Sequence, residues 1–455
     1  MGAHGRHTAK PIYTDIAIIG AGASGLMAAC FAAASPVKVV VAERNDAVGR
    51  KLSITGKGRC NIANSADMQA TMRNIPGNGK FLYSALHAMP NTGVTEFFGR
   101  LGVETVLERG GRYFTRSGDA GDVTRALRAQ AAAAGAEILC GARVESVGLA
   151  AGDANPAMGN GSHGGCGARF ALRLGGGCGA DPRGAGRGHA GMILAKRVII
   201  ATGGLSYPAT GSTGDGYRFA ESLGHGVVAP QPSLVPLETA EEWPRSLSGL
   251  SLRNVGLRLF SPDGRQLFKA LGEMLFTHFG ISGPMVLSGS RQLLACGFAG
   301  CAARIDLKPG LTHERLHDRI ARDFDMYRKK RLRGAMADLM PRSLIPVVLG
   351  QAGMDPEEPA AAIGKSGKNK LAEAIKALGM TISGARPIGE AIVTAGGIAT
   401  KELNPSTMES KLVGGLYFCG EVIDVDAYTG GFNLNIAFST GCLAGRSAAA
   451  SLASP

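Results

Sequence analysis

"TDIAIIGAGASGLMAACFAAASPVKVVVAERN", Thr14 to Asn45, reads as strand, turn, helix, strand. Thr14 to Ile19 is an apolar, β-rich run. Ser24 to Ala34 is small and helix-forming. Val37 to Val41 is β-branched, and Glu43 follows it. Gly20, Gly22 and Gly25 make G-x-G-x-x-G at the strand-to-helix turn. Glu43 lies about 20 residues further on, where a ribose-binding acid belongs. A lone glycine triplet is a weak signal. Here the strand, the helix, the second strand and the acid all accompany it, so the stretch predicts a Rossmann-like dinucleotide site. The glycines let the backbone approach a pyrophosphate at the positive end of the helix.

The loop that follows, "GRKLSITGKGRCN" (Gly49 to Asn61), is flexible, positive and rich in donors. It suits a phosphate-bearing cofactor, a nucleic acid or a plain solvated turn. The chain has 455 residues, 45% hydrophobic content, 68 glycines and 5% aromatics. Its net charge of +13 and pI near 9.4 favour an anionic partner only weakly. The nine cysteines are scattered and form no C-x-x-C. The chain therefore reads as cytoplasmic, with reduced thiols and no paired-cysteine zinc site. Glycines and Ser24 interrupt the apolar run from Ile16 to Ala34, so it is neither a signal peptide nor a membrane helix.

Further along, Asp119 to Gly135 is an Ala-rich helix and "AEILCGARVESVGL" is a strand pair. Residues 148–191 form a Gly-rich insertion, read as a disordered hairpin extension in which only "RFALRL" looks like a strand. A metal site from His163, Cys166, Cys178 and His189 is conceivable there, but the spacing fits no standard pattern. "AKRVIIATGG" is a buried strand ending in a glycine pair. From Val227 to Leu307 short β-like runs with Gly and Pro turns predict a mostly β domain. Thr312 to Leu378 is helical in character, and β signals return at Ala391 to Thr394. "GLYFCGEVIDVDAYTGGFNLNIAFSTG" closes the chain as strand, loop and helix. Glu421 ends its strand, and Gly430, Gly431 and Asn433 open its helix. Backbone N–H groups at a helix start stabilise developing negative charge.

These motifs together resemble a known family. "GAGASGL", "GRKLSITGKGRCNIAN", "ATGGLSYPATGSTGDGY", "PSLVPL", "GEMLFTHFGISGP" and "AIVTAGGI", with the closing segment, are similar to the BaiN/YhiN (RdsA-like, HI-type, "aminoacetone oxidase family") branch of the glutathione-reductase-like flavoproteins. They run in order along nearly the whole chain. The resemblance implies an α/β fold in which a discontinuous Rossmann-like FAD domain carries an inserted β-barrel-like domain and a helical domain. The corresponding boundaries are 1–226 and 412–455 for the FAD domain, 227–310 and 386–411 for the β-rich insert, and 311–385 for the helices.

The resemblance also implies FAD along Gly20, Gly22, Ser24, Gly25, Glu43, Arg44, Val144, Thr202, Gly203, Gly204, Gly420, Glu421, Gly431, Phe432, Asn433 and Leu434. Gly49, Arg50 and Lys51 would line the pyrophosphate. Arg59, Cys60 and Asn61 would come up beside the flavin ring. No second G-x-G-x-x-G with an acid follows, so NAD(P)H as reductant must visit the flavin face and leave. For reduction of a C=C bond, Cys60 or His278 is the candidate acid and Arg59 a candidate donor. Cys60 as a small core residue and His278 as a structural hydrogen-bonding group are the plainer readings. Cys419 reads as core. The basic run Arg328, Lys329, Lys330, Arg331 and Arg333 suits either a solvated face or ribosomal RNA. The expected function is uridine reduction to dihydrouridine in ribosomal RNA. Reduction of a small enone-like or amine metabolite is the alternative, and no membrane partner is implied.

Overall fold

The first predicted strand is β1, Ile12–Ile19, in a computed structural model that describes residues 10–150, 167–175 and 191–453. Next come β2 (Val39–Glu43), β3 (Asn61–Asn64), β4 (Thr105–Glu108), β5 (Arg112–Thr115), β6 (Glu137–Cys140), β7 (Arg143–Leu149), β8 (Phe170–Gly175), β9 (Gly191–Ile200) and β10 (Val227–Ser233). The second stretch holds β11 (Leu237–Thr239), β12 (Ser251–Phe260), β13 (Gln266–Thr277), β14 (Gly280–Ser282), β15 (Ala302–Asp306) and β16 (Leu378–Ala385). The chain then ends with β17 (Val393–Ile398), β18 (Leu416–Phe418) and the helix Phe432–Ala453. Two compact units result, one of residues 1–231 with 393–455 and one of residues 232–392.

The first unit is built on a sheet of order β6-β2-β1-β9-β8-β7, with β18 also on β9. β6, β2, β1, β9 and β18 pair in parallel, the pattern of a Rossmann-like core. β9 is long enough to serve two neighbours on one edge. Its first half pairs antiparallel with β8, and its last residues, Val198–Ile200, pair with β18. The predicted strand pair at 136–149 is two strands that do not pair with each other. β6 joins β2, while β7 joins β8. Gly141 and Ala142 donate to Asn45 O and Glu43 O, both at 2.8 Å, and so turn the chain past the end of β2.

The opening helix, Ala23–Ala32, is almost wholly buried because it packs beneath the closing helix. Small residues allow the approach. A Cβ on Gly441 would meet Ser24 O at 2.3 Å, and one on Gly445 would meet Ala28 O at 2.3 Å. Gly445→Ala is therefore expected to lose roughly 1–3 kcal/mol of stability through overpacking. Gly99→Ala also lies within a helix but meets nothing within 4 Å. It is expected to gain about 0.5–1 kcal/mol from reduced chain entropy. Urea midpoints of the two variants would decide this, and a shift of the same sign in both would refute it.

The second unit is a closed barrel of order β11-β14-β13-β12-β15-β16, accompanied by the helices His313–Met326, Ile345–Gln351 and Lys365–Lys376. Leu257, Leu259, Ala303, Ile305 and Ile382 fill its core with no measurable exposure. One segment inside the expected β region is helical. Pro284 sits at the first turn of Pro284–Leu293, after Gly283 at φ 99°, and that start outweighs the β-like surroundings. Among the described residues, no helix is long and apolar enough to cross a membrane.

Candidate active site

The start of the Ala23–Ala32 helix has the shape a pyrophosphate requires. No side chain caps it and no acid stands in its first turn. The three glycines do different work. A Cβ on Gly20 would lie 2.6 Å from Ala201 O, and one on Gly25 would lie 1.9 Å from Gly20 O. These two hold strand against helix. A Cβ on Gly22 would meet nothing within 4 Å, so this glycine faces open space. A dinucleotide phosphate fits that cradle, because free helix N–H groups and the dipole both favour an anion there.

Glu43 is buried and fixed. Its Oε2 accepts from Ala21 N at 2.8 Å, and its Oε1 accepts from Asn45 N at 2.9 Å and Asn45 Nδ2 at 2.8 Å. A carboxylate has about four acceptor positions, so one remains for a ribose hydroxyl. Val144 lies buried in β7, two residues after Ala142 donates to Glu43 O. Arg44 donates to Thr213 Oγ1 at 2.5 Å and pairs with Asp215 at 3.2 Å.

The basic loop and the closing segment meet. Gly49 takes φ 67° and donates to Ala21 O at 2.9 Å. Arg50 pairs with Asp46. Lys51 Nζ donates to Glu421 Oε2 at 2.6 Å and to Ser206 Oγ at 2.5 Å. Glu421 Oε1 accepts from Ser206 Oγ and from Thr394 N, both at 2.8 Å. Thr394 Oγ1 in turn accepts from Leu205 N at 2.8 Å. This network clamps four separated pieces around the glycines 203 and 204. A Cβ on Gly204 would lie 2.4 Å from Thr394 Oγ1. Gly203 stands at φ 73°, with Ser212 behind it. Thr202 Oγ1 is buried against the Gly216 backbone with no hydrogen-bond partner among the described residues.

Ser24 Oγ faces Cys419 O at 3.4 Å, and Gly420 leaves room for it. Asn61, with its amide oxygen toward the closing segment, accepts from Gly431 N at 3.0 Å. Asn64 Nδ2 reaches Gly430 O at 2.8 Å. Asn433 clips its own loop, because its amide accepts from Ala427 N at 2.9 Å and donates to Ala427 O at 2.7 Å. Phe432 is buried and Leu434 half-buried.

Cys60 is fully buried in a left-handed conformation, φ 52°. Burial pushes its thiol up to about 12, with a counteracting hydrogen bond from Thr55. Arg59 stacks 4.3 Å from the Phe114 ring centroid and pairs with Glu108. Cys419 is core, without exposure. His278 belongs to the second unit, exposed in the turn between β13 and β14 with its ring 4.9 Å from that of Phe279.

The run 328–333 belongs to the second unit too. Arg331 and Arg333 share Glu357, at 3.2 and 3.0 Å, and Lys330 Nζ lies 3.9 Å from the Tyr327 ring centroid. Arg328 and Lys329 are exposed. His163, Cys166, Cys178 and His189 lie outside the described residues. Among the described ones no cluster of His, Cys, Asp or Glu is arranged to hold a metal.

Reading the sequence did not single out Ser206, Thr394 or Asn45. The first two stand in the glycine-rich motifs "ATGGLSYPATGSTGDGY" and "AIVTAGGI", which carried a signal without showing its partner.

The sequence profile of the HI0933-like protein Rossmann domain matches residues 14–166 and 187–447. The chain is 31% identical to a 3-dehydro-bile acid delta(4,6)-reductase of Clostridium scindens, over 95% of this chain and 98% of that one. It is 30% identical to a ribosomal RNA dihydrouridine synthase of Haemophilus influenzae, over 94% and 96%. To the Escherichia coli enzyme of the same name it is 26% identical, over 94% and 96%.

Proposed function

The chain belongs to the HI0933-like family of Rossmann-domain oxidoreductases, and on that premise we propose that it is a cytoplasmic, FAD-dependent reductase. It takes electrons from NADH or NADPH and converts uridine to dihydrouridine in ribosomal RNA of the 23S type. The observation that carries the flavin assignment is the open cradle at Gly22 beside the fixed carboxylate of Glu43. Net charge favours RNA over a small neutral substrate, because +13 attracts a polyanion. The second reading, reduction of a small enone, has its own support in the full-length likeness to the bile-acid reductase. Both reactions are conjugate reductions of a C=C bond next to a carbonyl.

When bound, the flavin supplies the hydride that goes to C6 of the uracil. The residues of this chain do the rest. Negative charge then develops on O4, and Arg59, released from Glu108, donates to it. Cys60 holds the proton destined for C5. Its raised pKa keeps it a thiol throughout the neutral range, so the acid form is always present. The thiol is buried, so the Thr55–Arg59 turn must open for the base to reach it. Uridine splayed from its stack pays an unstacking cost, so protein-free RNA is the better substrate.

Wild type with NAD(P)H is expected to form dihydrouridine in 23S transcripts. Cys60→Ala is expected to keep flavin reduction by NAD(P)H and to lose product formation by roughly 10²–10⁴-fold. Mass spectrometry of digested RNA reads this. Flavin reduction with no dihydrouridine on any ribosomal RNA, together with turnover of a small enone, would move the assignment to the second reading.

A further inference from the structure

The outer face of the barrel in the second unit carries an unneutralised row of cations. Arg258 on β12 lies directly opposite Lys269 on β13 and opposite Arg304 on β15. The neighbouring residues Leu257, Leu259, Ala303 and Ile305 point into the core, so the alternate residues point out. Like charges directly across strands repel. The fold nevertheless places three in line, and among the described residues none of them has a carboxylate partner. Arg304 and Arg258 lie over the same Phe260 ring, 4.9 and 6.0 Å from its centroid, which holds their guanidinium groups near the sheet. Other arginines of this unit are paired: Arg331 and Arg333 with Glu357, and Arg319 with Asp323.

Beside the row opens a cleft of about 670 Å³, walled in part by Arg258, Lys269, Leu271, His313 and Glu373. Its other carboxylate, Asp306, is taken up by Lys376 Nζ at 2.6 Å. Leu271 is 68% exposed there, an apolar surface next to two cations.

We propose that this face binds the phosphodiester backbone of RNA. Phosphates lie along Lys269, Arg258 and Arg304, and a sugar or base rests against Leu271 in the cleft. Phosphate contacts of this kind position a nucleic acid without reading its sequence. The proposal rests on the RNA reading given above and relocates its electrostatic footprint. The partly neutralised run at 328–333 becomes secondary to the barrel face.

The test measures binding of a protein-free 23S transcript across a KCl series. The triple variant Arg258→Ala, Lys269→Ala, Arg304→Ala is expected to flatten the slope of log K against log salt by about 2–3, for three lost phosphate contacts. At low salt its affinity is expected to fall by roughly 10²-fold or more. Arg331→Ala with Arg333→Ala is expected to change the slope by less than about 1. The triple variant is expected to retain its flavin colour, its reduction by NADPH and its melting curve, and a glutamine triple variant guards against loss of side-chain bulk. Wild-type affinity and slope in the triple variant would overturn the barrel face alone. Absence of salt-dependent RNA binding by wild type would overturn both this face and the RNA reading.

Discussion

Gly22→Val is expected to fold and to be colourless, whereas Gly25→Val is expected not to fold. The two glycines stand three residues apart in one turn, but their surroundings differ. A side chain at Gly22 enters open space, so nothing in the protein resists it. It does occupy the place that we propose for a pyrophosphate at the helix N–H groups. Losing two charge-assisted hydrogen bonds of about 1.5–3 kcal/mol each removes roughly 10²–10⁴-fold or more of the affinity. At Gly25 the first added carbon lies 1.9 Å from Gly20 O, closer than any real contact, and the strand cannot withdraw because Ala201 packs behind it. Visible absorbance and circular dichroism separate the two outcomes. A yellow Gly22→Val protein with wild-type flavin content would refute the cradle.

Stability is expected to fall steeply as pH rises above 9. Cys30, Cys60 and Cys419 are almost or wholly buried, and burial lifts each thiol from 9.0 to about 12. In the unfolded chain they lose their protons near pH 9, while the folded protein keeps them. Between these values the unfolded state binds fewer protons, so folding stability decreases with increasing pH. Below pH 9 both states are protonated and these thiols add no slope. Each thiol contributes up to about 1.4 kcal/mol per pH unit, hence about 4 kcal/mol per unit for the three. Urea midpoints measured through this range should show the decline, and Cys419→Ala should make it shallower by up to about 1.4 kcal/mol per pH unit. Midpoints that stay level above pH 9 would contradict it.

The same burial bears on chemistry. While the Thr55–Arg59 turn is closed, burial keeps the Cys60 thiol protonated up to about 12, and the proton becomes usable when the turn opens. A Cys60 acting as a proton donor is therefore expected to lose activity only on the alkaline side of a pH profile, where its thiol ionises.

Local rules made the first βαβ unit legible. Apolar β-branched runs, three glycines and an acid at the strand end are read over about thirty consecutive residues, and β1, β2 and the helix between them stand within two residues of where the pattern puts them. The mostly β character of 227–307 was also legible from alternation and turns; its strands β11 to β15 close as a barrel with β16, while β10 pairs with β17. The helix Pro284–Leu293 was not, because a ten-residue element amid β signals offers only its proline start.

What the sequence by itself determined was therefore the element types, and the placing of three glycines at the strand-to-helix turn and of the acid Glu43 at the end of the next strand. Each is a property of neighbours along the chain. The tertiary structure alone decided which charges remain free. Lys51 meets Glu421 across 370 residues, and Arg331 and Arg333 meet Glu357. Arg258, Lys269 and Arg304, by contrast, fall into line only because β13 and β15 flank β12. A basic run in a sequence counts charges, but neutralisation depends on which carboxylate the fold brings within reach. No local pattern carries that distance.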